Sequence, residues 1–580
     1  MKSVLVGPGG ALRGGGLAQT LVLGGAVLVA LYLVAAPLGM LLLGAFRGPA
    51  DFLPFEPGAR WTLGPLVEVL TDPVLFRTTL ADTLVFTAGA VALGFSTAFV
   101  LAWLVERTDL PLRGLWFTLI TARLVMPGVV LAMAWIFLLG PNAGWLNAAL
   151  RALFGGDGAG PLDIFSMPGL IFAQGLSSVP FIFLLLTAAL RTMDPALEEA
   201  SSVSGASPRM TFLRVTLPVL APGLLAPLIL VTILTLEQFE MPLVLGLPAK
   251  IHVFSTRIYW ELTPLSGLPN FARAAAAALP ILAVALVLLA FYNRLIRRAD
   301  RFVTITGRGY RPRRLALGPW RWPALAFVSL YAALATLLPA FVLLWTSLFG
   351  YGTPSLAQLP QFSLGAYRAL LSDPNLGSAL GNTAIVAIGS ATLVTVVSAL
   401  IAWILVRTRI PGRGVIDVLS FVSIGIPSVI AGLGVMLFYL SVPLPIYGTV
   451  WILVLAYAYR LSVATRVARA GLMQIHRELE EASATSGVGW AGTFRRVVAP
   501  LMSPSLVGVW VLLFIVGVQE FTLPLVLFSP ENVVMSVLLW RLFAAGETAK
   551  AEALAVLIMA IVLPVVFLAR TVLLRRARHL

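Results

Sequence analysis

Two segments of the sequence carry acidic, small and turn-forming residues at one common spacing, residues 197–224 and 479–506. Each reads glutamate, alanine, serine, three residues, glycine, nine residues, valine, and a proline three positions beyond that valine. Residues of these types at this spacing point to a built loop with small residues on its surface. Glu198 and Glu199 open a short helix, where carboxylates match the positive end of the macrodipole. Gly205 supplies the left-handed residue that closes it, Ser207 caps a second helix and Pro208 takes its first position. In the second copy Gly487 closes and Gly489 is the weaker cap. The expected unit is helix, tight turn, helix, with Ala200, Ser201, Ala482 and Ser483 small enough for a foreign backbone to approach closely. The plainer alternative is that each glutamate caps its own helix and touches no partner.

A second polar motif follows each of these segments: Glu237-Gln238-Phe239-Glu240-Met241-Pro242 and Gln519-Glu520-Phe521-Thr522-Leu523-Pro524. Polar residues inside apolar spans are costly and mark function by default. Two placements are open for Gln238, Glu240 and Glu520: beside a cavity between two halves of the molecule, where they help a polar or cationic solute pass, or solvated at the outer interface next to a proline-broken helix. Other chemistry is excluded. A phosphate-binding loop needs Gly-Lys before Ser or Thr, and Lys2, Lys250 and Lys550 all lack the glycine. His252, His476 and His579 are too scattered to propose a metal site, and the chain has no cysteine to ligate one.

The elements that must position these motifs are membrane helices. Of the 580 residues 59% are hydrophobic and 11% charged, against about 25% charge in ordinary globular chains. Apolar runs near the ~20 residues a span requires fall at roughly 17–46, 82–105, 115–140, 166–190, 217–236 and 271–293, then at 321–349, 382–406, 416–440, 446–465, 501–528 and 551–574. The expected fold is an all-α membrane protein of about twelve transmembrane helices. The first run is too long for a secretory signal core and is read as a retained span. The formal charge of +15 does not point to nucleic acid, because the arginines lie between apolar spans. With both termini cytoplasmic, Arg107, Arg113, Arg191, Arg209, Arg214, Arg407, Arg413, Arg466, Arg469, Arg477, Arg495 and Arg496 all stay inside, as positive charge does. The segment 296–320 reads as a basic cytoplasmic linker that fixes topology or meets anionic lipid.

The chain is also an internal repeat. Residues 83–114 match 383–414: Trp103 with Trp403, Arg107 with Arg407, Pro111 with Pro411 and Gly114 with Gly414, each 300 positions apart, and Pro127 with Pro427 keeps that offset. Further along, Glu199 with Glu481, Gly205 with Gly487 and Pro242 with Pro524 lie 282 apart, which assigns a longer outside loop to the first half around Pro141–Pro161. Six spans per copy is an even number, so the repeats are parallel, with a transport pathway expected where halves meet. The expected organisation is 1–74, an N-terminal segment with the first helix and an outside loop; 75–295, the first repeat; 296–320, the linker; 321–374, the first helix of the second half with its outside loop; and 375–575, the second repeat.

The twin segments resemble the Glu-Ala-Ala loop of binding-protein-dependent ATP-binding-cassette import permeases, whose short helix docks into a groove on the ATPase subunit. Glu199, Ala200, Gly205, Leu217 and Pro218 match that motif in the first copy, and Glu481, Ala482, Gly487 and Pro500 in the second. Serine stands for its third alanine at Ser201 and Ser483, valine for isoleucine at Val215 and Val497, and Ala499 for leucine. The resemblance implies a bacterial inner-membrane permease of the type I importer fold that is not itself an enzyme. It implies two copies of a cytoplasmic ATPase subunit as partners, an extracytoplasmic substrate-binding protein, and alternating access. It also implies that this chain binds no cofactor, ATP and Mg being used by the ATPase. A single chain of two fused halves is similar to the iron(III) and thiamine importers, and the loop wording looks closest to the iron(III) type; polyamine and phosphonate are further alternatives. The competing class is a secondary transporter driven by an ion gradient, which does not account for a matched pair of cytoplasmic loops.

Overall fold

The computed structural model describes residues 17–48, 53–155, 158–191, 193, 196–264, 266–299, 314–350, 354, 356–408 and 412–577. Most of the basic linker expected at 296–320 lies outside the described residues, from 300 to 313, as does Pro411 of the repeat.

Among the described residues nine helices are long and apolar enough to cross a membrane, and three sharply bent helix pairs bring the number to twelve. Each falls on one of the apolar windows. In the first half they are α1 (Leu21–Ala45), α2 (Leu75–Arg107), α3 (Arg113–Val125 and Gly128–Leu139), α4 (Met167–Arg191), α5 (Pro208–Leu236) and α6 (Phe271–Ile296). In the second they are α7 (Gly318–Phe349), α8 (Pro374–Arg407), α9 (Arg413–Gly425 and Ser428–Ser441), α10 (Val450–Tyr457 and Leu461–Met473), α11 (Trp490–Gln519) and α12 (Thr548–Val566).

The matched prolines explain the two largest bends, 103° in α3 and 118° in α9. A proline disfavours helical geometry in the residue before it. Met126 (φ −87°, ψ 120°) and Ile426 (φ −98°, ψ 112°) are accordingly extended, and Pro127 and Pro427 stand at the N-caps of the second segments.

Two spans begin earlier than hydropathy suggested. The windows at 217–236 and 501–528 belong to helices α5 and α11 that run continuously from Pro208 and Trp490, with Pro218 and Pro500 inside them. The proline is accommodated by a single wide π-turn just before it, Phe212–Thr216 in one copy and Phe494–Val498 in the other. A ring without an N–H clashes with the carbonyl of an ordinary preceding turn, and a wide turn relieves that clash. The same device appears in α1 at Leu31–Ala35 before Pro37 and in α7 at Ala333–Leu337 before Pro339. The first helices of the two halves are therefore related too, although their side chains barely match.

The chain forms two compact units, and they are not the two sequence repeats. One joins α1 to the segment Pro374–Leu538 and the end of α12; the other joins Leu63–Asp373, which includes α7, to Leu539–Met559. Each first helix thus packs in the unit built on the other repeat. In the first unit the Tyr32 ring of α1 meets Phe438 at 5.3 Å and Tyr439 at 6.1 Å between centroids. In the second, Phe341 and Trp345 of α7 meet Trp145 at 5.9 and 6.4 Å, and the Thr336 hydroxyl donates to the Leu119 carbonyl at 3.2 Å.

Candidate functional site

Both repeated loops fold as the expected helix, turn and helix. The leading helices are Ala196–Val203 and Glu478–Thr485, each with its acids in the first turn. Gly205 (φ 80°) and Gly487 (φ 77°) close them in the left-handed region. The turn is completed by Ala206 N–H donating to Ser201 O at 3.1 Å and Val488 N–H to Ser483 O at 3.2 Å, the paired-bond closure that satisfies terminal carbonyls. The Ser207 hydroxyl accepts from Met210 N–H at 3.3 Å, whereas Gly489 gives its helix no side-chain cap.

The adjacent acids of each copy have different fates. Glu199 and Glu481 are exposed, as are Ala200 and Ala482, and Glu481 makes only a surface pair with Arg477 at 3.3 Å. Glu198 and Glu480 turn toward the membrane domain. Glu198 accepts from the guanidinium of Arg107, whose side chain is fully buried at the last residue of α2, and also from the Thr216 hydroxyl at 2.8 Å. Glu480 accepts from Arg407 Nε at 2.8 Å, at the last residue of α8. Arg407 further donates to the Leu472 and Ile475 carbonyls at the end of α10, at 3.3 and 2.6 Å. In the first copy the α4 end is held differently, by Arg191 donating to both Glu106 oxygens at 3.0 and 2.7 Å.

Two more contacts recur. The Trp103 ring meets Phe212 edge-on at 5.2 Å, and Trp403 meets Phe494 at 5.6 Å. Ser201 shares a 2.9 Å hydrogen bond with Thr211, and Ser483 one of the same length with Thr493. The serines that depart from the alanine pattern therefore tie the two helices of each loop together. Leu217 is half-buried beyond the wide turn, and Pro218 and Pro500 are exposed.

The second motif is not a row of solvated acids. Glu520 is buried and accepts from Arg460 Nη2 at 2.5 Å. Arg460 sits at the 52° bend of α10 and also donates to Ser428 Oγ, at 3.3 Å, on the first residue after the α9 break. Tyr459 shares a 3.0 Å bond with that serine. In the other unit the charges exchange positions. Buried Arg123, at the α3 break, donates to the Met126 carbonyl at 3.0 Å and to Ser177, and lies within electrostatic reach of Glu240. A Cβ on Gly128 would collide with the Glu240 carboxylate. Gln238 is half-buried, and its carbonyl accepts from Ser255 at 2.6 Å, as the Glu520 carbonyl does from Ser536 at 2.6 Å. By repeat position Arg460 corresponds to Ser178 and Arg123 to Ser423, while Glu520 corresponds to Gln238 and Glu240 to Thr522.

Sequence reasoning passed over Arg123 and Arg460 because both lie inside apolar windows. The signal was present: a charge within a span is rare enough to need a named partner. The same applies to Glu552, buried in α12.

Two copies of one six-span repeat, each carrying between its fourth and fifth spans a helix-turn-helix loop pinned to its own membrane helices, define a multi-pass permease of the ATP-binding-cassette importer class. The comparison with known sequences narrows this. The chain belongs to the family described as binding-protein-dependent transport system inner membrane component, which matches over residues 90–301 and 395–579. It is 28% identical to the putative ferric transport system permease protein of Haemophilus influenzae over 80% of this chain and 72% of that one. It is 27% identical to the ferric transport system permease protein of Actinobacillus pleuropneumoniae, over 88% and 73% respectively. A probable ABC transporter permease protein of Sinorhizobium fredii is 30% identical over 74% of this chain and 75% of its own length.

Proposed function

We propose that the chain is the permease of an iron(III) importer driven by two copies of a cytoplasmic ABC ATPase subunit, one beneath each loop, and loaded by an extracytoplasmic substrate-binding protein. One observation carries the docking role. In both copies a glutamate-alanine face is left exposed, Glu199-Ala200 and Glu481-Ala482, while the neighbouring acid is held against the membrane domain. Gly205 and Gly487 shape that face, and Leu217, Pro218 and Pro500 return the chain to the membrane.

Both termini are cytoplasmic in this reading, because the arginine-rich segments then stay on the side from which insertion occurs. ATP and Mg belong to the ATPase. This chain binds no cofactor and performs no covalent step. Gln238, Glu240 and Glu520 are assigned to the solute pathway, since polar groups are kept inside spans at a cost. Iron(III) is the cargo favoured by the two relatives with ferric transport in their names. Loaded binding protein outside and ATP inside bias one two-state equilibrium of the permease.

Reconstitution with the ATPase and binding protein tests this. Replacing Glu199 and Glu481 together with alanine is expected to abolish ATPase co-purification or to cut ATP-dependent iron uptake by about tenfold or more. Uptake at the parent rate defeats the docking role, and ATP-dependent uptake of thiamine but not iron(III) defeats the cargo. Because the chain has no cysteine, a single cysteine at Val203, 89% exposed, reports orientation. It is expected to react with a membrane-impermeant thiol reagent from the cytoplasmic side alone.

A further inference from the structure

We propose that Arg107 and Arg407 are positioning residues that make each docking loop move as one body with the second membrane helix of its repeat, α2 or α8. This rests on the reading of the loops as docking elements and adds the route by which their displacement enters the membrane.

A loop tied to the membrane only through the chain is free to swing about its ends. On its exit side the second arm of the loop continues into the rest of α5 or α11 through a wide turn, Phe212–Thr216 or Phe494–Val498, whose helical hydrogen bonds are not the regular ones. A displacement applied there is partly absorbed as bending. The arginine pair supplies a second attachment. Arg107 reaches Glu198 across 91 residues of sequence and Arg407 reaches Glu480 across 73. Each pair joins the last residue of a long helix to the first turn of the loop helix. Arg107 is fully buried and Glu198 largely so, and water screens their attraction less than it would at a wet surface. One attachment is still a pivot. The Trp103–Phe212 and Trp403–Phe494 contacts hold α2 and α8 to the second arm of each loop as well, and so oppose the remaining rotation. The Ser201–Thr211 and Ser483–Thr493 bonds then keep the two arms of each loop from shearing.

The two copies reach this arrangement with different accessories. Thr216 supports Glu198 in one, while backbone carbonyls support Arg407 in the other. The tryptophan, the arginine, the acid and the phenylalanine are common to both. What recurs is thus the attachment itself, which explains why Trp103 and Arg107 are among the residues that the internal repeat preserves.

The route continues along α2. Its 33 residues span about 50 Å at 1.5 Å per residue. Asp72, just before its far end, pairs with Arg273 at the start of α6 and lies 3.9 Å from Arg257, with Glu261 bridging both arginines at 3.2 and 3.3 Å. A shift of the loop is therefore carried along the regular part of α2, Leu80–Arg107, toward the opposite end of the same unit, where the wide turn Leu75–Thr79 separates it from Asp72.

The test uses the full transporter with its ATPase and binding protein. Glu198→Gln with Glu480→Gln, and separately Arg107→Gln with Arg407→Gln, are compared with the parent for ATPase co-purification and for ATP hydrolysed per iron(III) imported. Retained co-purification with at least a tenfold rise in ATP per iron is expected, and Arg107→Glu with Glu198→Arg is expected to recover part of it. An unchanged ratio, or loss of the ATPase from the complex, overturns the proposal, the latter because the pair would then merely fold the loop. Spin labels at Val203 and Val100 give a reading that does not need turnover. Their separation is expected to stay fixed between nucleotide-free and ATP-bound states in the parent and to broaden in Arg107→Gln; a parent separation that changes with ATP also overturns it. Failure of the docking reading is seen independently, as parent-level uptake in the Glu199→Ala, Glu481→Ala protein.

Discussion

Consecutive residues on a helix point about 100° apart, and that rotation separates the roles of two neighbouring acids. Glu198 and Glu480 face the arginines, Glu199 and Glu481 face solvent. The turn glycines are needed for their backbone angle rather than for space, since a Cβ at Gly205 or Gly487 meets nothing within 4 Å. Gly205→Ala with Gly487→Ala is therefore expected to cost about 1–2 kcal/mol per loop. Hydrogen exchange should show it as faster exchange at the Ala206 and Val488 amides, with the transmembrane helices unaffected. The intramembrane pair behaves differently. Glu520→Gln leaves Arg460 without its counter-charge, so a loss of about 3–5 kcal/mol is expected. Arg460→Met combined with Glu520→Leu should cost less than the single change. Thermal denaturation in detergent of the three proteins checks that order, and equal losses would mean the pair does not interact.

At the level of elements, prolines decide where spans bend or widen. Pro127 and Pro427 break α3 and α9, while Pro218, Pro500, Pro37 and Pro339 are taken up by wide turns that leave the helix continuous. Hydropathy cannot separate these outcomes, because composition is similar on both sides of every proline. The difference lies in whether the preceding residue is free to become extended. Close helix contacts were equally hidden. A Cβ on Gly434 would stand 2.7 Å from the Pro37 carbonyl, so α1 approaches α9 backbone to backbone. Gly434→Val is expected to push them apart and destabilise that unit by about 1–3 kcal/mol, read as a lowered denaturation midpoint in detergent.

For the whole molecule, sequence order and packing order disagree. Each compact unit borrows its first helix from the other repeat, so neither half of the chain contains a complete unit. Two fragments divided within residues 300–313 are expected to be unstable alone and to co-purify when expressed together. Removal of α1 alone should sensitise Pro374–Leu538 to protease while sparing the segment Leu63–Asp373. Digestion that spares both would show that α1 is not required where it packs.

The sequence by itself determined the solvent, the number of spans, the duplication and the shape of the repeated loops. All four follow from local rules: apolar length, periodic matching and capping chemistry at fixed spacing. Only the tertiary structure decided which acid of each neighbouring pair is exposed, which arginine answers the other, where the intramembrane charges meet, and which unit each first helix joins. Those outcomes depend on contacts between residues tens to hundreds of positions apart, where no local preference acts and burial beside a particular partner sets the energy.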